Sequence, residues 1–537
     1  MSKRKRAPRR TASRKAEPAN PLAGAPGLSE EDILMLMSEA LEQRMGAGLF
    51  GGKSAVAQFA EFLESCGNDE STDEEPYARI VALIGELDQL RIAGNGGDRA
   101  AREDMQAILD LLNTALDDGS LRPIDLIMTG KIFHDAGWTV PDRLKEAVAQ
   151  ALQLGIGDDS SAVGDDLPSL LSEILQNLES SPLDIHEFMS SLLAAFPAEA
   201  YDNLLSALAA LCRPEVNQAV AGFVAHSDAN VARAAIDALC ALAGRAPVES
   251  LLVERLVQMR PWLPQARQVQ LDTAIKALRP HASPPQVRAL AELVECYASV
   301  CDGSGTNSAS ISQRAGKHYR FASVMMKPSG ISEVVVIPEL SKTEIGRLIR
   351  EMRSAIPTSK TDAAGISRLL RLALADNAAT ASLPPFRLIE VVESLGLPLL
   401  HADHASASEL IEELLAGLPQ EQTDASAVAR AHADLLNEEF VEQWFEAGEA
   451  LEDLLRPIGS FAQRVTAVMT TYLPPRRQFW ARQCAVSALA MRADAGNSRW
   501  KRLALVGRDI ASDLPLERIP LMRSIAAASV HAFDLQM

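Results

Sequence analysis

Aromatic residues make up only 4% of this 537-residue chain. A core with so few rings has to be filled by aliphatic side chains. The hydrophobic share is 47%, supplied mainly by Ala and Leu. Small and γ-branched residues favour closely packed helices over sheets, so composition predicts a mainly helical protein. No apolar run is long enough to span a bilayer, which excludes a transmembrane helix. The basic N-terminus does not lead into an apolar signal core, because Glu17, Pro18 and Pro21 intervene. Cysteine is sparse as well: Cys66, Cys212, Cys240, Cys296, Cys301 and Cys484 form no CxxC pair. Cys212 and Cys240 fall in or beside Ala/Leu segments, where a thiol behaves as a small hydrophobe. These absences predict a cytoplasmic protein in a reducing compartment, with no transmembrane segment and no cofactor.

Charge is unevenly placed. Lys3, Arg4, Lys5, Arg6, Arg9, Arg10, Arg14 and Lys15 give the first fifteen residues +8, so a net charge of −19 leaves −27 on the remainder. An acidic body repels phosphates and argues against a broad nucleic-acid surface. The tail reads either as a tether to nucleic acid or anionic lipid, or as a solvated, solubilising segment.

The stretch from Glu199 to Tyr297 carries a recurring phrase. It reads Ser206-Ala207-Leu208-Ala209-Ala210-Leu211, then Asp237-Ala238-Leu239-Cys240-Ala241-Leu242, then Thr273-Ala274-Ile275-Lys276-Ala277-Leu278. The copies start 31 and 36 residues apart, the length of two helices and two turns. Proline recurs at helix-length intervals through this region, at Pro182, Pro197, Pro214, Pro247, Pro261, Pro264 and Pro280. Asp228, Val231, Ala235, Ala238 and Leu239 resemble the second-helix pattern of HEAT repeats, and Val287, Arg288 and Ala291 match part of it again. The pattern's Arg after the Val is replaced by Ala232, with Arg233 beside it. The resemblance covers residues 199–297. It implies an α-solenoid whose concave face binds another macromolecule, and it implies no catalytic residues.

The expected organisation is a disordered basic tail over 1–27, an N-terminal helical region over 28–165 and HEAT-like repeats over 166–300. A small antiparallel β-meander plus helix follows over 301–355, then a linker with a short helix over 356–383 and a C-terminal helical domain over 384–537. Helices are expected at 53–65, 77–93, 98–116, 122–134 and 141–154. The meander strands are expected at 308–312, 317–326 and 332–337, with Lys327-Pro328-Ser329-Gly330 turning between the last two. Ser341 and Glu344 form a capping box for the helix that follows. Later helices are expected at 366–375, 386–396, 407–416, 425–455, 459–472, 475–492, 497–512 and 517–534.

Several segments touch on chemistry without completing a motif. Gly46 to Ser54 lacks the first glycine of a P-loop, since Ala47 stands there, and a helix rather than a strand precedes it. Asp302-Gly303-Ser304-Gly305 has Asp302 where a nucleophile elbow needs Gly, and reads as a turn entering the meander. His401, Asp403 and His404 are the metal-ligand candidates, with the alternative of a polar loop capping the next helix. Arg476, Arg477 and Arg482 surround Phe479 and Trp480. They read as a nucleic-acid patch or as a core edge with snorkelling arginines. The leading functional reading is a non-catalytic scaffold or adaptor that binds another protein. The alternatives are a nucleic-acid-associated protein using the tail and the 476–482 helix, and a metal-dependent enzyme with a site near His401 and His404.

Overall fold

The computed structural model describes residues 54–66, 75–95, 98–119, 121–152, 181–285, 290–494 and 496–536, with single positions between 168 and 175. The basic tail, the glycine-rich stretch before Ser54, the acidic segments at 68–74 and 155–166, and Val287 and Arg288 lie outside them. The chain forms two compact units. The first runs to Leu154 and includes Ser191–Pro197; the second takes Gly155–Ser190 and everything from Ala198 onward.

The first unit holds α1 (Ala55–Ser65), α2 (Glu75–Asn95), α3 (Arg99–Asp118), α4 (Pro123–Asp135) and α5 (Asp142–Ala151). These lie where the apolar periodicity puts them. Ser54, the last residue of the P-loop-like stretch, caps α1 by accepting from the Ala57 N–H at 3.3 Å. Asp98 caps α3 through Ala100 N at 2.8 Å. The few rings are concentrated: Phe133 meets Phe59 edge-on at 5.7 Å and Trp138 at 5.3 Å. The Trp138 indole N–H donates to the Leu87 carbonyl at 2.9 Å, so this large ring is buried with its polar atom satisfied.

The second unit holds α6 (Pro182–Leu193) as far as Ser190 and continues with α7 (Tyr201–Ala210), α8 (Pro214–Gly222), α9 (Ala229–Leu242), α10 (Ser250–Met259) and α11 (Gln265–Leu278). Helices α7, α9 and α11 pack side by side in one layer, and α8 and α10 form a second layer against them. The recurring phrase occupies α7, α9 and α11. In each copy the first residue (Ser206, Asp237, Thr273) is exposed and the second and third are buried, so the copies hold the same place in the layer.

The sheet follows: β1 (Glu292–Ser299), β2 (Asn307–Ala315), β3 (His318–Lys327) and β4 (Gly330–Leu340). Helix α12 (Lys342–Ala355), strand β5 (Thr358–Thr361) and helix α13 (Ala363–Ala379) come next. The strand order is β4-β3-β2-β1-β5, and every pairing is antiparallel. This corrects the three-stranded meander. Strand β1 lies where the helical repeats were expected to run on, and β5 lies where a linker was expected; α13 contains the short helix expected at 366–375 and is longer at both ends. The reason is that the second half of β1 is covered on both faces: Cys296, Tyr297, Ala298 and Ser299 are all buried, while Glu292, Leu293 and Val294 are exposed. The period-2 alternation that marks a half-exposed strand is therefore absent. Helix α12 packs over β3 and β4, capped as expected by Ser341 and Glu344. Its Arg353 guanidinium lies 5.1 Å from the Tyr297 ring, on the same sheet face.

The chain closes with α14 (Leu388–Ser394), α15 (Ala407–Leu415), α16 (Ala425–Leu435), α17 (Glu449–Leu455), α18 (Phe461–Ala467), α19 (Leu473–Arg492), α20 (Arg499–Ala511) and α21 (Pro520–Gln536). The single helix expected over 425–455 is broken into α16, a 3-10 turn at Glu439–Gln443 and α17. The break turns Phe440, Val441 and Trp444 into the core. Between α18 and α19 the backbone widens into a π segment, Val468–Tyr472. Pro474 and Pro475 follow at once. They offer no N–H, and their rings crowd the preceding turn, which accounts for the widening. Trp444 and Trp480 centre this core, 5.7 Å apart. Among the described residues no helix is long and apolar enough to cross a membrane.

Residues 386–397 close off the α8–α10 layer. Arg255 of α10, buried, makes a two-pronged bond to Glu393 at 2.7 and 2.9 Å and donates to Gln218 of α8 at 2.7 Å. Gln258 reaches the Leu397 carbonyl at 3.3 Å. Arg387 grips Glu187 and Asp184, both at 2.6 Å. The His186 ring lies between Phe223 (4.4 Å) and Phe386 (4.9 Å), with Nδ1 3.1 Å from the Ala219 carbonyl. Burial pushes that imidazole down to about 4, against the carbonyl's opposing pull.

Candidate functional site

One end of the sheet is held by the helices that cover it. The β1–β2 turn is the Asp302-Gly303-Ser304-Gly305 phrase. The Asp302 carboxylate accepts from Ser304 N (2.9 Å), Ser304 Oγ (2.7 Å) and Thr306 N (2.9 Å). Ser304 thus donates within its own turn, and His318 sits at the start of β3, paired with Ala315 at the far end of β2. The turn is anchored from behind. The Trp444 indole donates to the Cys301 carbonyl at 2.9 Å, and the Cys301 N–H donates to Ser487 Oγ at 3.0 Å. In the amide orientation that satisfies both its ends, Gln483 donates to the Asp302 carbonyl at 3.2 Å and accepts from Gly305 N at 3.1 Å. Gly305 has φ +86°, and a Cβ there would lie within 3.0 Å of Phe479 and Pro328, so both conformation and space require glycine.

The β3–β4 turn, Lys327-Pro328-Ser329-Gly330, lies beside it as the sequence indicates. Asn377 of α13 fastens it: Oδ1 accepts from Ile331 N at 2.8 Å, and Nδ2 donates to Ser382 Oγ at 2.9 Å. Ser382 in turn donates to the Ser329 carbonyl at 2.8 Å. Gly330 has φ +110°, and a Cβ there would come within 2.2 Å of the Asn377 amide.

Between the two turns, α13 and α19 lies a pocket of about 470 Å³, counting the space that opens to solvent. Its wall is mainly apolar, with Met326, Leu369, Leu372, Ala373, Phe479 and Val486. Arg482 and Asp376 form an ion pair within it, at 2.7 and 2.6 Å to the two carboxylate oxygens. Burial raises the Asp376 carboxyl and the guanidinium opposes that rise. Asn307, 6% exposed, also lines the pocket, and its Nδ2 is buried with no acceptor among the described residues. A buried amide donor without a partner costs on the order of 1–3 kcal/mol. Lys327 stands exposed on the wall and makes no ion pair among the described residues. Burial pushes the Cys301 thiol up to about 12, and raises that of neighbouring Cys484 too, so both stay protonated near neutral pH.

The residues singled out from sequence are spread over several places. Lys3, Arg4, Lys5, Arg6, Arg9 and Arg10 lie outside the described residues. Arg476 bonds Glu446 at 2.9 Å and lies 3.7 Å over the Phe479 ring. The same Glu446 oxygen accepts from the Trp480 indole at 2.8 Å. Arg477 closes the end of α20, donating to the carbonyls of Ile510 (2.9 Å), Ser512 and Leu514 (2.8 Å). Arg482 belongs to the pocket. All three guanidiniums are thus bound to groups of the chain itself.

His401 and His404 are exposed in the loop before α15. Asp403 between them pairs with Arg368 at 2.7 Å, and its N–H donates to the Arg371 carbonyl at 2.8 Å. Among the described residues no three His, Cys, Asp or Glu side chains gather where they would hold a metal ion. Asn307, Lys327, Asp376 and Phe479 come together only in the fold. The one sequence signal was Asp376-Asn377, two polar residues ending the apolar run over 372–375.

The fold is therefore that of a mainly helical chain with a five-stranded antiparallel sheet set between helical regions. Residues 197–281 match the model of the Y4lR second domain, and residues 408–534 match the Y4lR C-terminal helical domain. The chain is 23% identical over 482 residues to "Uncharacterized protein y4lR" of Sinorhizobium fredii (strain NBRC 101917 / NGR234), covering 86% of this chain and 90% of that protein. No solved structure matches. The two domain matches take in the α7–α11 array and the α15–α21 bundle and leave the sheet between them.

Proposed function

We propose that the protein is a non-catalytic scaffold that binds another protein through the α7–α9–α11 layer, in the manner of a HEAT-like solenoid. One observation carries this reading. The layer holding the second-helix pattern keeps an outward row exposed, including Ser206, Arg233, Asp237, Val269, Thr273 and Lys276, whereas the α8–α10 layer is closed by residues 386–397. Val269, 59% exposed, gives the row an apolar point among charges of both signs.

The test is an affinity capture from the native host with full-length protein and an R233E/V269D/K276E variant. A partner retained by the native protein and lost by the variant supports the reading, provided the variant melts at the native temperature. A partner retained equally by both overturns it. A bait lacking residues 1–15 separates the tail's contribution.

A further inference from the structure

We propose that the pocket between the β1–β2 and β3–β4 turns, α13 and α19 binds a small organic monoanion: a carboxylate on a compact apolar body. The inference does not depend on the scaffold reading, since these residues lie outside the α7–α9–α11 layer. Its wall has the composition of a small-ligand site, mostly apolar with a few placed polar groups.

Charge fixes the class. Asp376 is the carboxylate that lines the pocket, and Arg482 holds both of its oxygens, so that pair presents no net charge. Lys327 remains, a cation with no ion-pair partner among the described residues. Asn307 adds a second donor, its Nδ2 buried and unmatched. An anionic head with acceptor oxygens answers both groups. An ammonium head would meet Lys327 with the same sign and find Asp376 already taken. The apolar body would lie against Met326, Leu369, Leu372 and Phe479. The Phe479 ring is itself held in place by Arg476 at 3.7 Å and by Trp480 edge-on at 5.3 Å.

The experiment is ligand-observed NMR titration of the full-length protein with benzoate, hexanoate, benzyl alcohol and hexylamine. At least one of the two acids is expected to saturate with a Kd of about 1 mM or below, with the alcohol and amine at least about tenfold weaker. Lys327→Gln, a change at an exposed side chain, should weaken the acid about tenfold. Ala373→Phe should fill the space and remove binding. If Ala373→Phe does not fold, Lys327→Gln still decides. The proposal is overturned if neither acid saturates, if acid and alcohol bind alike, or if Lys327→Gln binds as tightly as the native protein.

Discussion

The α7–α11 array and the β1–β5 sheet are adjacent in sequence and built on opposite principles. In the array, spatial neighbours are chain neighbours: each helix packs on the next or the next but one, and the same small and aliphatic residues recur in each copy. In the sheet, β1 is paired on one side with β2 and on the other with β5, which arrives only after α12. Its covering helices come from α13 and from α19, more than 170 residues further on. The array's stability is drawn from contacts between helices close in the chain. The sheet's rests on a few long-range fasteners, namely Asn377 on one turn and Gln483, Ser487 and Trp444 on the other.

The sharpest way to break this contrast is to open matching cavities. Leu239→Ala in α9 should cost about 3–4 kcal/mol, and Leu208→Ala in α7 a similar amount, because both fill the same place in the layer. Urea unfolding of the two variants checks this; widely different losses would mean that the copies are not equivalent. Next is Glu393→Ala, expected to cost about 3 kcal/mol by leaving Arg255 buried and half-paired. A much smaller loss in the same assay would show that the array does not rely on residues 386–397.

A pH titration probes the same junction. Burial holds the folded His186 imidazole near 4, below its ordinary 6.5. The unfolded chain therefore binds a proton between those values and the folded chain does not. Stability is unaffected above about 6.5 and falls as pH drops toward 4, by about 3 kcal/mol in full. His186→Phe should flatten that part of the thermal stability profile; an unchanged slope would assign the loss to other groups.

In the sheet, Asn377→Ala should cost about 2 kcal/mol by leaving the Ile331 N–H without its acceptor. Hydrogen exchange should then speed up at Ile331 more than at Val231 of α9. The smallest effect is Ser341→Ala, about 1 kcal/mol from losing one half of the α12 capping box. It is readable as faster exchange confined to the first turn of α12.

How much was legible follows from these lengths of contact. Helices such as α3 and α5 were readable because each buries one stripe, and a stripe repeats every three to four residues. Strand β1 was hidden because its exposed first half and its fully buried second half leave no alternation. Strand β5 was hidden because Thr358–Thr361 is only four polar residues long. The pocket was invisible: Asn307, Lys327, Asp376 and Phe479 are far apart in the chain and share no motif. The arginines at 476, 477 and 482 stood out as a basic–aromatic cluster, and their partners Glu446, Leu514 and Asp376 could not be named from that segment.

The sequence by itself determined the helical class, the phrase that sets the α7–α9–α11 layer, and the two glycine-bearing turns at 302–305 and 327–330. Each of these depends on interactions within a few residues or one repeat. The tertiary structure alone decided which layer of the array stays open, how β1 and β5 complete the sheet, and that an ion pair and an apolar wall meet at its end. Those features depend on groups brought together across about sixty to two hundred residues, where neither periodicity nor local turn chemistry carries information.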